Sequence, residues 1–251
     1  MSATRRLAAA GCVAPEAEAA ELAAAAADED TLSAFVDRRT KGEPLAWITG
    51  TIVFCGCEIA IDPGVYVPRW QTEPLAELAA ELLAPEGRAI DLGTGSGAIA
   101  GVLMDRRPGA SVIGTENDPV ATRCARRNGV EVAQGDLFDG IAESWKGSVD
   151  VIVGVLPYVP TEAIALLPRD VPEFEPLMAL DGGTDGLAIV RRAVTESRAW
   201  LKDRGHLLLE LGADQPGLLS QTLQASGFGE VRVIYDEEGD TRGVEALAVT
   251  P

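Results

Sequence analysis

The chain has little of what several protein classes depend on. It contains one histidine and four cysteines in 251 residues. Cys12, Cys55, Cys57 and Cys124 are too few and too scattered for the disulfide framework of a small secreted domain. Cys55-Gly56-Cys57 has the wrong spacing for a thioredoxin-like redox pair, and with His206 the only imidazole a zinc site would need an unusual ligand mixture. No metal site is expected. Cations are scarce as well: 21 Lys and Arg against 39 Asp and Glu leave a net charge of −18. A broad cationic nucleic-acid surface is disfavoured, because non-specific affinity comes from neutralising phosphates. The local cluster Arg123, Arg126 and Arg127 reads as an ordinary helix face. Long apolar runs are missing too, and Glu16, Glu18 and Glu21 interrupt the Ala-rich N-terminal stretch. Neither a signal peptide nor a membrane span is expected, no membrane partner is foreseen, and the reading is cytoplasmic.

Hydrophobic residues nevertheless make up 47% of the chain, with aromatics only 5%, so a sizeable core must be built from Ala, Val, Leu and Ile. Residues 1–41 form the first expected unit, a small helical module. Pro15 can open a helix that runs to Asp28, and Thr31 to Arg39 makes a second; alanine propensity carries both more than an apolar stripe does. Residues 42–74 change character. Gly50, Gly56, Pro63, Gly64 and Pro68 punctuate Ile52, Val53, Phe54, Ile59 and Ile61, which predicts a connector or hairpin and then a substrate-facing loop from Val65 to Thr72. Residues 75–251 alternate strand and helix after an entry helix near Glu73 to Leu83. The strands are expected at 89–91, 112–116, 130–133, 149–153, 206–211, 230–235 and 244–249. Helices are expected at 98–105, 119–128, 186–201 and 218–225. Such alternation predicts an α/β fold with a largely parallel sheet covered on both faces, the last two strands forming an antiparallel end.

The strongest local signal is Asp91-Leu92-Gly93-Thr94-Gly95-Ser96-Gly97, between a short apolar strand and a helix. Glycines there permit a sharp turn and a close approach of ligand to backbone. Glu116 ends the next strand, where its carboxylate suits two ribose hydroxyls. Asp136 and Leu137 follow the third; Asp136 suits an exocyclic amino group of adenine, with Leu137 and Phe138 as an apolar wall. A dehydrogenase is disfavoured because the loop lacks the G-x-G-x-x-G spacing and Asp91 would repel a pyrophosphate. A P-loop is excluded by the missing Gly-Lys-Ser/Thr ending.

The stretches DLGTGSGAIA (91–100), GDLF (135–138), LPYVP (156–160), EFEPLMALDGGTDGL (173–187) and LLLELG (207–212) together resemble the protein-glutamine methyltransferases that modify peptide-chain release factors. GEPLAWITG (42–50) and DPGVYVPRWQTE (62–73) extend the likeness upstream. The resemblance implies a class I Rossmann-like methyltransferase with a mixed seven-stranded sheet, a small N-terminal helical domain for acceptor recognition or closure, and S-adenosylmethionine as cofactor. Carried over, it implies that Gly93, Thr94, Gly95 and Gly97 approach the cofactor, Asp91 faces its ammonium group or a water beside it, Glu116 binds its ribose, and Asp136 with Leu137 lies near adenine.

The acceptor side departs from the pattern. Where the family has Asn-Pro-Pro-Tyr, this chain has Val155-Leu156-Pro157-Tyr158, and where it has Pro-Arg-Pro-Glu-Thr-Glu, this chain has Pro68-Arg69-Trp70-Gln71-Thr72-Glu73. In the family the Asn side chain helps orient the acceptor amide. Valine offers neither donor nor acceptor, and an amide hydrogen left unpaired costs about 1–3 kcal/mol. Pro157 and Tyr158 remain as catalytic-side candidates, with Arg69, Trp70, Val155 and Leu156 completing a less polar acceptor pocket. Tyr158 is expected to position or stack, its ordinary pKa near 10 being unsuited to a general base. Three readings stay open: transfer to a glutamine amide of a protein such as a release factor, transfer to a small specialised metabolite or another protein group, and binding of the cofactor without transfer.

Overall fold

The computed structural model describes residues 2–168 and 170–249. The N-terminal unit comprises α1 (Ala3–Ala9), α2 (Pro15–Ala25) and α3 (Glu29–Arg39). α1 lies outside the two helices expected here. Leu7, Leu22 and Val36 from these three helices form a small core that also takes in Ile48 of α4 (Leu45–Thr49). The helical cluster therefore reaches past the expected boundary at residue 41. On α2 only Ala19 and Leu22 are buried, which is the thin apolar contact its composition implied.

The predicted hairpin is present as β1 (Thr51–Phe54) and β2 (Cys57–Ala60), paired antiparallel. Its two turn residues, Cys55 and Gly56, both have positive φ, the backbone twist that closes a two-residue hairpin. A single 3-10 turn over Trp70–Thr72 leads into α5 (Glu73–Leu82).

The main unit follows as β3 (Arg88–Leu92), α6 (Ala98–Arg106), β4 (Ser111–Glu116), α7 (Pro119–Arg127), β5 (Val132–Gln134) and β6 (Val149–Gly154). After short helical turns including α8 (Asp170–Phe174) come α9 (Ala188–Ser197), β7 (Leu201–Glu210), α10 (Gln215–Ala225), β8 (Phe228–Tyr235) and β9 (Thr241–Ala248). The seven strands lie in the order β5-β4-β3-β6-β7-β9-β8, and β9 runs antiparallel between β7 and β8. Every residue of β6 is buried, as befits a central parallel strand covered on both faces. α5, α6 and the hairpin cover one face, with Leu75, Leu103 and Ile59 in that core; α9 and α10 cover the other, with Val190 and Leu219. The helix expected from Gly186 to Leu201 is shorter at both ends. Gly186 takes positive φ, and Leu201 already belongs to β7. The chain order reverses direction between β3 and β6, so the crevice beyond their carboxyl ends is where this architecture places ligands.

Candidate functional site

Two connected depressions open at that end of the sheet, one of about 290 Å³ and a smaller one of about 50 Å³. Tyr66, Gly93, Gly95 and Val155 line both. The larger runs from Glu116, Asp136 and Leu137 at one end to Pro157 and Tyr158 at the other. The smaller lies against Asp91, Thr94 and Thr72.

The donor end is held largely by backbone N–H groups. Glu116, at the tip of β4, accepts from Gly95 N–H at 3.0 Å through one oxygen and from Asp118 N–H at 2.9 Å through the other. Each oxygen retains a second lone pair, so the carboxylate is oriented without being exhausted. Burial raises its pKa, with these backbone bonds acting the other way. Asp91 is almost wholly buried, accepting from Thr94 Oγ1 at 2.6 Å and Ala100 N–H at 3.1 Å. Its pKa is pushed up to about 7 by burial, against the two hydrogen bonds and with a further push from Glu116. A carboxylate so placed gains from a cation beside it. Gly95 has positive φ, and a Cβ on it would meet nothing nearer than Gly93 O at 3.9 Å, leaving the loop surface open to a ligand. Asp136 is also fixed, by an ion pair at 2.8 Å with Arg192 of α9.

Two donor-side residues lie away from the depressions. Gly97 lines neither depression. A Cβ there would stand 2.8 Å from Val130 Cγ2 and 3.3 Å from Ala125, so its small size serves the packing of α7 and the turn that follows it, with its positive φ a second reason for glycine. Phe138 does not join Leu137 in the wall: it is buried in the core, stacked on Trp200 with centroids 5.3 Å apart.

The acceptor end is assembled from distant segments. Tyr158 O–H donates to Glu210 Oε1 at 2.8 Å, and Thr72 Oγ1 donates to Glu210 Oε2 at 2.5 Å. Glu210, 5% exposed at the end of β7, thus ties the loop after β6 to the loop before α5. Burial raises its pKa, while those bonds and the charges of Arg242 and Arg69 lower it. Burial and the neighbouring Glu210 raise that of Tyr158, which keeps its proton and serves as a donor, not a base. The loop carrying Tyr158 is clamped from behind. Gln215 Nε2 donates to Tyr158 O at 2.8 Å, and Gly182 N–H donates to Val159 O at 2.9 Å. A Cβ on Gly186 would fall 2.1 Å from Tyr158 O, which is why only glycine fits there.

Arg69 and Trp70 do not line either depression. Arg69 ion-pairs with buried Glu175 and stands 5.0 Å from the centroid of the Tyr66 ring. Trp70 is 64% exposed and so is no wall of the cavity, because the 3-10 turn directs Thr72 inward to Glu210 and leaves Trp70 on the surface. Val155 and Leu156 do line the larger depression, and a Cβ on Gly93 would touch Leu156 Cδ2 at 3.1 Å. Sequence reasoning missed Glu210 and Tyr66. The first had a signal, a lone carboxylate ending the apolar run Leu207-Leu208-Leu209; the second, an aromatic among valines, had none. Beyond the two depressions, Asp185 accepts from Leu187 N–H before α9 and pairs with Arg191, Arg242 pairs with Asp236, and His206 meets Glu245 across the sheet.

Sheet order, glycine loop and strand-end carboxylates together define a class I, Rossmann-like S-adenosylmethionine-dependent methyltransferase. Residues 57–163 match the family model described as the methyltransferase small domain. The release factor glutamine methyltransferase of Geobacter sulfurreducens is 36% identical over 83% of this chain and 75% of its own length. That of Mycolicibacterium smegmatis is 34% identical over 99% of this chain and 96% of its own. The structure of the E. cuniculi Mtq2–Trm112 complex, responsible for methylation of the termination factor eRF1, superposes with TM-score 0.55 at 25% identity, covering 74% of this chain and 99% of that one. The chain belongs to the release factor glutamine methyltransferase family.

Proposed function

We propose that this enzyme methylates the side-chain amide of a glutamine in a peptide-chain release factor, in the cytoplasm, with the N-terminal helices serving acceptor recognition or closure. The observation that carries the reading is the continuity of one depression from the Glu116 end to Pro157 and Tyr158. Glu116 would hold the ribose, Asp136 and Leu137 the adenine, and Asp91 the ammonium end; Gly93 and Gly95 would admit the cofactor to the backbone. Bound S-adenosylmethionine would supply an electrophilic methyl group, the C–S electron pair staying on sulfur while the acceptor nitrogen forms the new bond and sheds one proton. An amide nitrogen is a weak nucleophile because its lone pair is delocalised, so the chain's work is orientation. Pro157 and Tyr158 would form the rim at which the amide lies, and the Glu210 tie fixes that rim.

Val155 puts an apolar side chain at the junction of the two depressions, which favours a second reading, a small apolar acceptor. The test is methyl-label transfer from S-adenosylmethionine to purified release factor and, separately, to the macromolecular and small-molecule fractions of a cell extract. Label mapped to a glutamine side chain is expected. Label confined to small molecules would replace the first reading with the second.

A further inference from the structure

Val155 removes the side-chain amide that the family pattern places at the acceptor end, yet the reaction as proposed still requires a polar group to orient the acceptor. The four residues shared by the two depressions are Tyr66, Gly93, Gly95 and Val155. Of these, Tyr66 alone has a polar side-chain atom. The other hydroxyls around the site are committed or out of reach: Tyr158 and Thr72 donate to Glu210, Thr94 donates to Asp91, and those of Ser96 and Thr115 are buried within the protein. The Tyr66 ring is held in place by Arg69, whose guanidinium stands 5.0 Å from its centroid and also hydrogen-bonds the phenol oxygen, so that the phenol proton is what remains to be donated to an acceptor. Arg69 is itself anchored on buried Glu175. The phenol also stays protonated in neutral solution, since burial pushes its pKa up to about 12 despite the charge of Arg69.

Resting on the glutamine reading above, we infer that Tyr66 is the acceptor-contacting residue of this enzyme, its hydroxyl hydrogen-bonding the acceptor carboxamide across the cleft from Val155 and so taking the orienting role that an asparagine at position 155 would have. Arg69 and Glu175 then act on the acceptor only through Tyr66. Their contribution is to hold the ring, which explains why Arg69 lies half-buried outside both depressions.

The experiment compares the full chain with Tyr66→Phe, Val155→Asn and the double variant. Each is assayed for S-adenosylhomocysteine affinity by calorimetry, for affinity of a glutamine-containing release-factor peptide in the presence of S-adenosylhomocysteine, and for methyl transfer. Tyr66→Phe is expected to lower peptide affinity and transfer by roughly tenfold or more, the value of one well-placed hydrogen bond, with S-adenosylhomocysteine affinity unchanged. Adding Val155→Asn to that variant is expected to restore most of the loss. Peptide binding and transfer undiminished in Tyr66→Phe would overturn the role of Tyr66 while leaving glutamine methylation intact. A loss equal in peptide and S-adenosylhomocysteine affinity, unrescued by Val155→Asn, would overturn it too, assigning the ring a packing role. Absence of glutamine transfer by the unsubstituted chain overturns the underlying reading and this one with it, which the wild-type assay alone reveals.

Discussion

The two ends of the cleft are built in opposite ways. At the donor end Asp91 and Glu116 stand at or beside the tips of their strands and are held mainly by neighbours in sequence or in the adjoining loop: Asp91 by the Thr94 hydroxyl and Ala100 N–H, Glu116 by Asp118 N–H and by Gly95 N–H of the glycine loop. At the acceptor end the groups come from segments far apart in sequence. Glu210 joins Thr72 to Tyr158 across separations of 138 and 52 residues, and Arg69 reaches Glu175 across 106. A locally held site survives substitution elsewhere, and it is the half that keeps the family pattern here. A site assembled over long range can exchange one contributor for another when a second loop offers an equivalent atom. The substitutions Val155, Leu156, Trp70 and Gln71 all fall in that half. Divergence follows the way each half is held.

The comparison is tested most severely at Glu116. Its two oxygens are positioned by Gly95 and Asp118 for a partner in the larger depression. Glu116→Ala should therefore weaken S-adenosylhomocysteine binding by on the order of a hundredfold, the value of two charge-assisted hydrogen bonds lost together. Calorimetry on the folded variant checks it. Near-native affinity would move the nucleoside away from β4 and break the account of the donor half.

A smaller, pH-dependent effect belongs to Asp91. Its pKa in the free protein is about 7, raised chiefly by burial. A bound ammonium group stabilises the ionised carboxylate and so lowers that pKa in the complex. Binding is then fully favourable above about pH 7 and weakens as pH falls through it, by at most about tenfold per unit until the bound-state value is reached. Affinity for S-adenosylhomocysteine measured between pH 8 and 5.5 should show this decline, and Asp91→Asn should flatten it. A flat profile in the unsubstituted chain would mean that Asp91 faces no cation.

The same contrast explains what could be read before the fold was known. β3, β4 and β6 announce themselves as short apolar runs ending in Asp91, Glu116 and the Val155–Tyr158 segment, because a parallel strand buried on both faces has little freedom of composition. Their succession with helices yields the sheet, and the strand ends yield the donor residues. A glycine in such a loop looks alike whether it admits a cofactor or a neighbouring helix; Val130 and Ala125, against which Gly97 packs, lie further along the chain and are invisible in the local pattern. Glu210 ends an apolar run and so carries a local mark, but its partners Thr72 and Tyr158 depend on which loops meet; Tyr66 depends on that wholly. α1 was missed because its buried contribution is the single Leu7.

Trp70 gives the smallest expected effect and the finest division of the acceptor half. Its place beside Arg69 in sequence suggests a wall over the substrate, whereas its 64% exposure sets it on the rim outside both depressions. Trp70→Ala should change folding stability by within about 0.5 kcal/mol, as expected for an exposed side chain making few contacts. S-adenosylhomocysteine affinity and transfer to a short glutamine peptide should remain at the wild-type level. Thermal unfolding and a peptide assay test both. A selective loss with intact release factor would place Trp70 on a surface that only a large acceptor reaches. A loss with the short peptide would instead bring the indole over the cleft, and the boundary between the conserved half and the exchanged one would have to be redrawn to include it.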